Sequence, residues 1–449
     1  MNADVLIIGA GTAGATAAWK CAEEGAKTVL VDARPAGKAG ATWVNGVEER
    51  LFSDIGLWPV PEQAIFHESS VYHLQSPAGS RSTCYGTPTL EIDMAGLNRA
   101  LLEKAEEAGV EIIYSCSLDQ PLIEGNAVVG AHFIKDGERL NINAPLTIDA
   151  SGMHSVFREA LPDSLWIREE VEAKDTCVAA QYVFELTDKD AAKRFLAANN
   201  VKDGEIFVKA GIRGGYSILN TSIDMEHGHV AFLAGAMLSQ GNRAAQDLIE
   251  EGKKLTGCAG KKKFGGAGLI PVRRAMDQLV GNGFALVGNS ASQVFPTHGS
   301  GVAAGMRAAA ILAAVAGELV RAEEPMTIEN LWPYATAYQR GRGAICASQQ
   351  VVREMTESLH PGQTDQMFRL GLINEQVTIQ SMDCQPLSLG AGHVMKGLKA
   401  ARVAPTLIGR VAATGVKAAA VSALYHRYPE KYSARSFQRW RGTRKRLLN

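Results

Sequence analysis

The fold is decided by the stretch Asp4-Val-Leu-Ile-Ile-Gly9-Ala-Gly11-Thr-Ala-Gly14 near the start of the chain. Its continuous β-branched and aliphatic run, Val5–Ile8, predicts a strand buried on both faces of a parallel sheet. The residues after Gly14 have helix-forming composition, and Gly25 predicts the C-terminal cap of that helix. A strand, a glycine-rich turn and a helix in this order predict a Rossmann-type unit.

The three glycines of this turn predict a site for a dinucleotide pyrophosphate. Gly9 permits a tight turn, Gly11 lets a phosphate approach the backbone, and Gly14 lets the helix pack closely on the strand. The helix N-terminus adds free N–H groups and a partial positive charge. The next strand ends at Asp32, 18 positions after Gly14, where a carboxylate suits ribose hydroxyls. The alternative is a structural glycine-rich turn with a solvated Asp32.

A second strand, turn and helix pattern lies near the far end of the chain. It reads Phe284-Ala-Leu-Val-Gly-Asn-Ser-Ala-Ser-Gln-Val-Phe-Pro296-Thr-His-Gly299-Ser-Gly301-Val-Ala-Ala-Gly305. One helix N-terminus serves an ADP pyrophosphate, and a second can stabilise negative charge on a reduced isoalloxazine. Two such helices therefore favour FAD over NAD as the cofactor.

These segments resemble the glutathione-reductase-type FAD superfamily, in the branch with p-hydroxybenzoate hydroxylase and geranylgeranyl reductases. The family signature L-x-G-D-A-A followed by P-x-x-G-x-G is matched by Leu286–Ala291 and Pro296–Gly301, with Asn289 at the Asp position. An amide can still hydrogen-bond a ribityl hydroxyl, but without charge. A third signature, D-G-x-x-S-x-x-R, is matched by residues 151–158, where Ser151 replaces the Asp.

The motifs and the resemblance together predict which residues contact FAD. In the family, the loop after the second strand passes beside the isoalloxazine, so Thr42 and Trp43 are expected to stack on the flavin or hydrogen-bond to it. An ordinary loop with a packed Trp is the alternative. The predicted contacts are Gly9, Gly11, Thr12, Ala13, Gly14, Asp32, Ala33, Thr42, Trp43, Asp149, Gly152, Gly288, Asn289, Pro296, Gly299, Gly301 and Val302.

The predicted fold class is α/β. It comprises a Rossmann-like FAD-binding domain with three ββα layers, an inserted antiparallel-sheet substrate domain and a helical C-terminal region. Strand-like and helix-like segments alternate after residue 160, which predicts that the inserted sheet lies there. Beyond residue 325 the pattern predicts mainly helices. The predicted boundaries are 1–158 and 269–325 for the two parts of the FAD-binding domain, 159–268 for the substrate domain, and 326–449 for the helical region with its basic tail.

Two residues are candidates for catalysis. His298 lies in the loop expected to face the flavin, where an imidazole can deliver a proton or stabilise anionic flavin. The alternative is a side chain that points away. Tyr216 follows Gly214-Gly215, which corresponds loosely to the G-Y-x-W-x-F-P stretch of geranylgeranyl reductases, although the Trp, Phe and Pro are missing. Tyr216 is therefore a candidate pocket residue, whereas Arg273 and Arg274 are expected to be solvated charges.

Composition limits the partners. The net charge of -1 gives no global field that attracts nucleic acid. The seven dispersed cysteines form no C-x-x-C pair, which predicts no metal site and reduced thiols in a cytoplasmic setting. We see no signal peptide and no run of about 20 apolar residues.

The C-terminal tail adds a possible surface for membranes. Between Arg427 and Arg446 the tail is strongly basic, with Phe437 and Trp440 among the cations. Such a segment suits peripheral contact with an anionic membrane. The alternative is a helical cap followed by a solvated tail.

The function predicted from the sequence is an FAD-dependent oxidoreductase that acts on a small, hydrophobic or lipid-like substrate. It reduces or oxidises a carbon–carbon bond, or it hydroxylates the substrate. Because only one convincing dinucleotide fingerprint is present, the electron donor is transiently bound NAD(P)H or a protein or quinone partner. Two alternatives stay open: a non-redox flavoenzyme of the lycopene-cyclase type, and a flavin-binding electron-relay or partner subunit. A deep pocket beside the flavin argues against the relay.

Overall fold

The computed structural model describes residues 1–67, 71–386 and 401–448. Its strands within these residues are β1 (Val5–Ile8), β2 (Thr28–Val31), β3 (Val44–Glu48), β4 (Ile65–His67), β5 (Tyr72–Gln75), β6 (Arg81–Cys84), β7 (Thr89–Asp93), β8 (Glu111–Ile113), β9 (Cys116–Glu124), β10 (Ala127–Lys135), β11 (Glu138–Asn143), β12 (Leu146–Asp149), β13 (Thr176–Leu186), β14 (Ile206–Ala210), β15 (Ser217–Asp224), β16 (His229–Met237), β17 (Ala259–Pro271), β18 (Val280–Gly281) and β19 (Phe284–Leu286).

The α-helices alternate with these strands at first and then follow one another. They are α1 (Thr12–Glu23), α2 (Arg50–Asp54), α3 (Met94–Glu107), α4 (Val156–Ala160), α5 (Lys189–Asn199), α6 (Ala244–Thr256), α7 (Val302–Arg321), α8 (Ile328–Tyr338), α9 (Ala344–Glu357), α10 (Pro361–Arg369), α11 (Glu375–Met382), α12 (Pro405–Tyr425) and α13 (Ala434–Leu448).

The nucleotide-binding half is built on a six-stranded sheet in the order β18-β19-β12-β1-β2-β8. Strand β1 lies between β12 and β2 and is parallel to both. All four of its residues are buried, as their continuous apolar run predicts. The antiparallel sheet β11-β10-β9 packs against β12, while α1 packs on β1, β2, α3 and α7. This arrangement is the predicted three-layer ββα architecture.

The second large sheet has seven strands in the order β17-β13-β16-β15-β14-β5-β6. Its pairs are antiparallel except for β14 with β5. The strands expected after residue 160 are present, which confirms the inserted antiparallel sheet. However, β5 and β6 come from a segment that the sequence placed in the FAD-binding part, and β17 crosses the predicted boundary at residue 268. Four-residue edge strands such as β5 carry little periodic signal, so their membership depends on tertiary pairing.

Arg273 and Arg274, expected to be solvated, are instead almost completely buried. The Glu169 carboxylate accepts from Arg273 Nη2 at 2.9 Å and from Arg274 Nη2 at 2.8 Å. Arg274 also donates to the carboxylate of the fully buried Asp277 at 2.9 Å. In the sequence these two neighbouring arginines resemble surface charges. Their partner Glu169 is about 100 residues away along the chain, so no local pattern indicates the ion pairs.

The basic tail is partly buried in the same network. Arg441 and Arg444 of α13 donate to the carboxylate of Asp277, Arg441 Nε at 3.0 Å and Arg444 Nε at 3.1 Å. Phe437 and Trp440 are buried as well. Helix α13 is therefore a cap on the body of the protein, and the cations that stay exposed on this part of the chain are Arg427, Lys431, Arg435, Arg439, Lys445 and Arg446.

Within the described ranges, two helices are long and apolar enough to cross a bilayer, judged by length and composition alone. Neither helix is an uninterrupted apolar run, because α7 contains Arg307 and Glu318 and α12 contains Arg410 and Lys417. Helix α7 is a core helix, with 56% of its most apolar window buried. Helix α12 differs, because only 11% of its window is buried inside the protein.

Candidate functional site

Of the three glycines in the first glycine-rich loop, only Gly11 has room for a side chain. Gly9 has φ of +104°, and a Cβ there would lie 2.5 Å from the Ala150 carbonyl oxygen. A Cβ at Gly14 would lie 1.8 Å from the Gly9 oxygen. At Gly11 a Cβ would meet only the Gly40 Cα, at 3.9 Å. Gly11 is also the N-cap of α1 and receives no side-chain cap, so the helix N-terminus faces open space.

Polar groups beside this loop are fixed in position. Asp32 accepts from the Ala10 N–H and from the Arg34 N–H, both at 2.7 Å. Asn98 of α3 donates through Nδ2 to the Ala10 oxygen at 3.0 Å and to the Ala39 oxygen at 3.2 Å. Its buried Oδ1 has no hydrogen-bond partner among the residues that the structure describes. An orphaned acceptor beside an uncapped helix N-terminus fits a bound nucleotide.

Asn98 was missed by sequence reasoning. In the sequence, the only feature that could have indicated Asn98 is its position as a polar residue on the otherwise apolar face of a predicted helix.

The second fingerprint meets the first at the same edge of the sheet. Gly301 is the N-cap of α7, again without a side-chain cap, and a Cβ there would lie 2.9 Å from Asn289 Oδ1. A Cβ at Gly288 would lie 2.9 Å from the Cβ of Ala13. The two loops approach this closely because β1, β12 and β19 are parallel neighbours. Two uncapped helix N-termini, the fixed Asp32 carboxylate and the Asn98 oxygen fit the charge and hydroxyl pattern of FAD.

Asp149 is held by hydrogen bonds to the loop that follows it, and its contact with the cofactor stays a prediction. Asp149 is fully buried and accepts from Ser151 N at 2.9 Å, Ser151 Oγ at 2.6 Å, Ser155 Oγ at 2.7 Å and Arg158 N at 3.0 Å. Its carboxylate thus holds the 151–158 loop. Gly152 has φ of +88° and open space where a Cβ would be. Arg158 donates to the Ser290 oxygen, which joins this loop to the second fingerprint.

Trp43 packs against glycines of β17. A Cβ at Gly266 would lie 2.9 Å from its ring, and one at Gly268 would lie 3.3 Å away. Thr42 is exposed, and its Oγ1 lies 3.5 Å from the Gly265 oxygen. The glycines of β17 therefore seat the indole, a role that their spacing in the sequence did not reveal. Thr12, Ala33, Pro296 and Val302 lie in or beside the same loops, and their contacts with FAD stay predictions.

A cavity of about 1160 Å³ extends from these loops into the protein. Trp43, His298 and Gly299 lie along its wall, and α12 lines it as well. Most of the remaining wall is apolar and comes from the seven-stranded sheet and the C-terminal helices. These apolar residues include Leu74, Val208, Ile218, Leu233, Ile270, Val352, Met355, Leu359, Met367, Leu372 and Ile373.

His298 lines the cavity as a neutral imidazole. Its Nδ1 accepts from the Ser300 N–H at 3.2 Å, so Nε2 carries the proton and donates to the Ser381 oxygen at 3.0 Å. The ring stacks on Phe295 at 4.6 Å. Burial lowers the pKa of His298 to about 4. A neutral ring whose N–H is already bound cannot supply positive charge to a flavin, and its predicted role as a proton donor loses support.

Tyr216 lines the same cavity on the side of the second fingerprint. Its hydroxyl would lie 3.3 Å from a Cβ at Gly299. Burial raises the pKa of Tyr216 well above its ordinary value. The structure thus brings Tyr216 and His298 to one cavity, as pocket residues, and the catalytic role of either stays a prediction.

Comparisons with known proteins agree with this geometry. A family model described as FAD dependent oxidoreductase matches residues 4–205. The digeranylgeranylglycerophospholipid reductase of Sulfolobus acidocaldarius is 25% identical, over 98% of this chain and 95% of that protein. A geranylgeranyl bacteriochlorophyll reductase-like protein from Thermoplasma acidophilum has a similar fold, with a TM-score of 0.72, 17% identity, and coverage of 92% of this chain and 99% of that one. The flavin-dependent brominase Bmp2 aligns with a TM-score of 0.63 and 14% identity, over 90% of this chain and 99% of its own.

Proposed function

Because this chain is an FAD-dependent oxidoreductase, we propose that it reduces carbon–carbon double bonds in a long, apolar, lipid-like substrate. The observation that carries the proposal is the cavity of about 1160 Å³, which is walled by apolar side chains and begins at the loops of the cofactor site. A cavity of this size and character suits a substrate that is mostly hydrocarbon. The similarity to a digeranylgeranylglycerophospholipid reductase over nearly the whole chain supports the same substrate class.

The chain's own residues have distinct tasks in this reaction. When bound, reduced FAD supplies a hydride. The uncapped N-termini of α1 and α7, with Asp32 and Asn289, hold and orient the cofactor. Trp43 and the Thr297–Ser300 loop form the polar end of the cavity, and the apolar walls exclude water from the reacting bond.

The same cavity supports this proposal over one of the other two functions, and an experiment separates it from the second. An electron-relay subunit needs no pocket of this volume, so the cavity favours an enzyme with its own substrate. A non-redox flavoenzyme of the lycopene-cyclase type would leave the flavin in the same redox state after turnover. Net oxidation of the flavin by the substrate therefore separates the two.

The test is a single turnover without oxygen. We reduce the purified holoenzyme with dithionite, mix it with a geranylgeranyl-containing lipid in detergent, and follow the visible spectrum and the product mass. We expect the substrate to reoxidise the flavin and to gain two hydrogen atoms for each saturated bond. Reoxidation that requires oxygen and inserts an oxygen atom would establish hydroxylation instead.

A matched pair of variants tests whether the cavity is the substrate site. Ala412 and Ala413 are adjacent exposed residues of α12, but only Ala412 lines the cavity. In detergent, Ala412→Trp should lower kcat/KM for the long substrate, whereas Ala413→Trp should leave it unchanged. Equal effects from both variants would contradict the assignment of the cavity.

The electron donor belongs to the same proposal. NAD(P)H that binds transiently, or a protein or quinone partner, supplies the electrons, because only one dinucleotide fingerprint is convincing in the sequence. Stopped-flow reduction with NADH, NADPH and a reduced quinone distinguishes these donors by the rate at which the visible absorbance is lost.

We also propose that the protein contacts an anionic membrane surface through α12 and the exposed cations of the tail. On α12 the cavity-lining residues Ala412, Gly415, Val416 and Ala419 are exposed, so the cavity opens along an uncharged edge of the helix. A lipid-like substrate can enter there without leaving an apolar environment. The exposed cations from Arg427 to Arg446 supply the charge that anionic lipids attract.

Vesicle flotation tests this contact. The double variant Ala413→Asp with Ala420→Asp places two charges on the exposed side of α12, away from the cavity lining. It should lose binding to anionic vesicles, while the exposed Ala314→Asp on α7 should bind normally. A change in oligomeric state without a change in flotation would show that α12 contacts a second copy of the chain instead.

A further inference from the structure

A hydrogen-bonded pair of a buried tyrosine and a half-buried glutamate lies at the edge of the cavity, beside the loop that carries Trp43. Tyr72 of β5 lines the cavity, and its hydroxyl donates to Glu91 Oε1 of β7 at 2.6 Å. Gly46 lies opposite Glu91 in the β3–β7 ladder. A Cβ at Gly46 would lie 3.4 Å from Glu91 Oε1 and 3.8 Å from the Tyr72 hydroxyl. Since Gly46 itself lines the cavity, its missing side chain leaves the pair uncovered on that side.

The surroundings of the pair shift the pKa of both groups upward. Burial raises the pKa of Glu91, although the Tyr72 hydrogen bond and the nearby His67 act in the opposite direction. Burial and the adjacent Glu91 raise the pKa of Tyr72 well above its ordinary value, and Thr89 opposes this only in part. A phenol that shares a hydrogen bond with a carboxyl group therefore lies next to an apolar cavity.

We propose that Tyr72, backed by Glu91, is the proton donor for double-bond reduction, an inference that rests on the proposed function. The O–H bond of Tyr72 breaks as a C–H bond forms at the carbon that does not receive the hydride. The carboxyl proton of Glu91 restores the phenol, and Glu91 recovers its proton from solvent. The hydride from reduced flavin brings both electrons, so hydride and proton together saturate the bond.

Other groups in the cavity are less suited to this task. The N–H of His298 is bound to the Ser381 oxygen, a backbone carbonyl that has no proton to return to the ring. Within the part of the chain that the structure describes, no carboxylate hydrogen-bonds to the hydroxyl of Tyr216, so that phenol has no acid to restore its proton. Tyr216 is therefore a suitable comparison for Tyr72, because both phenols line one cavity.

The same hydrogen bond also has a structural effect. It joins β5 of the seven-stranded sheet to β7 of the three-stranded sheet β3-β7-β4. A purely structural bond would change stability when removed, but it would not change the rate of proton transfer relative to flavin reduction. The test therefore measures the two half-reactions separately.

The experiment compares Tyr72→Phe, Glu91→Gln and Tyr216→Phe as holoenzymes of equal FAD content. Flavin reduction by dithionite should be the same in all three. Anaerobic reoxidation by the prenyl substrate should slow by about 10²- to 10⁴-fold in Tyr72→Phe, the usual contribution of general acid catalysis. Glu91→Gln, which keeps an acceptor for the Tyr72 hydroxyl, should slow less and alter the pH profile of reoxidation. Tyr216→Phe also changes the cavity wall, but it should slow reoxidation much less than Tyr72→Phe does.

A readout independent of turnover is the infrared carbonyl band of a protonated carboxyl group in the apoprotein. The band should persist to higher pH than for an exposed carboxyl, and Glu91→Gln should remove it. If Tyr72→Phe is reoxidised at the wild-type rate, or if the large loss of rate occurs in Tyr216→Phe instead, Tyr72 is not the proton donor. Either result leaves the proposed function intact. A wild-type enzyme that leaves every prenyl double bond intact overturns the proposed function and this inference together.

Discussion

Replacing Asp277 by Asn should destabilise the protein far more than removing any one arginine that Asp277 binds. Asp277 is fully buried and accepts from Arg274, Arg441 and Arg444. With Glu169 and Arg273, the network has two carboxylates against four arginines. Asp277→Asn leaves Glu169 as the single anion. Losing the anion of a buried ion pair costs about 3–5 kcal/mol.

Arg444→Met is the informative comparison. It removes one cation from a network with surplus positive charge, and Asp277 keeps Arg274 and Arg441 as partners. The expected cost is about 1–2 kcal/mol, the value of hydrogen bonds to a charged group minus the relieved repulsion. Arg435, which is exposed on the same helix, serves as the control, since surface substitutions usually change stability by less than about 0.5 kcal/mol.

Urea unfolding followed by tryptophan fluorescence measures these differences, and limited proteolysis reports whether α13 detaches. We expect Asp277→Asn to release α13 to protease before the body of the protein unfolds. Equal urea midpoints for Asp277→Asn and Arg444→Met would refute the charge reasoning. Protease resistance of α13 in Asp277→Asn would refute the idea that this carboxylate holds the tail.

Three further predictions concern the cofactor loops. Gly11→Ala should fold normally yet bind FAD more weakly, because a Cβ at Gly11 meets open space. Gly14→Ala should fail to fold, because a Cβ there would lie 1.8 Å from a carbonyl oxygen. Circular dichroism measures folding of the two variants, and their flavin content measures FAD binding. Asp32→Ala should weaken FAD binding by about 10- to 100-fold, which is the contribution of hydrogen bonds to a carboxylate. Flavin fluorescence titration measures the affinity, and an unchanged affinity would contradict this prediction. The pKa of His298, lowered by burial to about 4 from 6.5, means that the folded state binds fewer protons between these values. Stability should therefore rise with pH across that window, by up to about 3 kcal/mol, and His298→Asn should lose this rise in urea melts at several pH values.

The sequence predicted the parts of the fold that depend on local pattern. The apolar run Val5–Ile8, the spacing of Gly9, Gly11 and Gly14, and the second fingerprint around Gly299 each carry their meaning within a short window. Local rules of turn geometry and burial are sufficient there.

The parts that could not be predicted depend on distant neighbours. The hydrogen bonds of Asp149 to the following loop become evident only when that loop folds back. Arg273 reads as a surface charge until Glu169 is seen beside it. Tyr72 and Glu91 meet only because two different sheets come together.

The strand pair between Tyr72 and Cys84 has a practical consequence for anyone who wishes to isolate the substrate-binding module. Because these strands complete the seven-stranded sheet beside Ile206–Ala210, a fragment cut at the apparent boundaries 159–268 would leave that strand with unpaired backbone groups. Such an edge invites association with other chains. The module is thus interleaved in sequence with the nucleotide-binding half. Shortening or exchanging it requires changes in two separate segments of the chain, the strand pair between Tyr72 and Cys84 and the later part of the sheet.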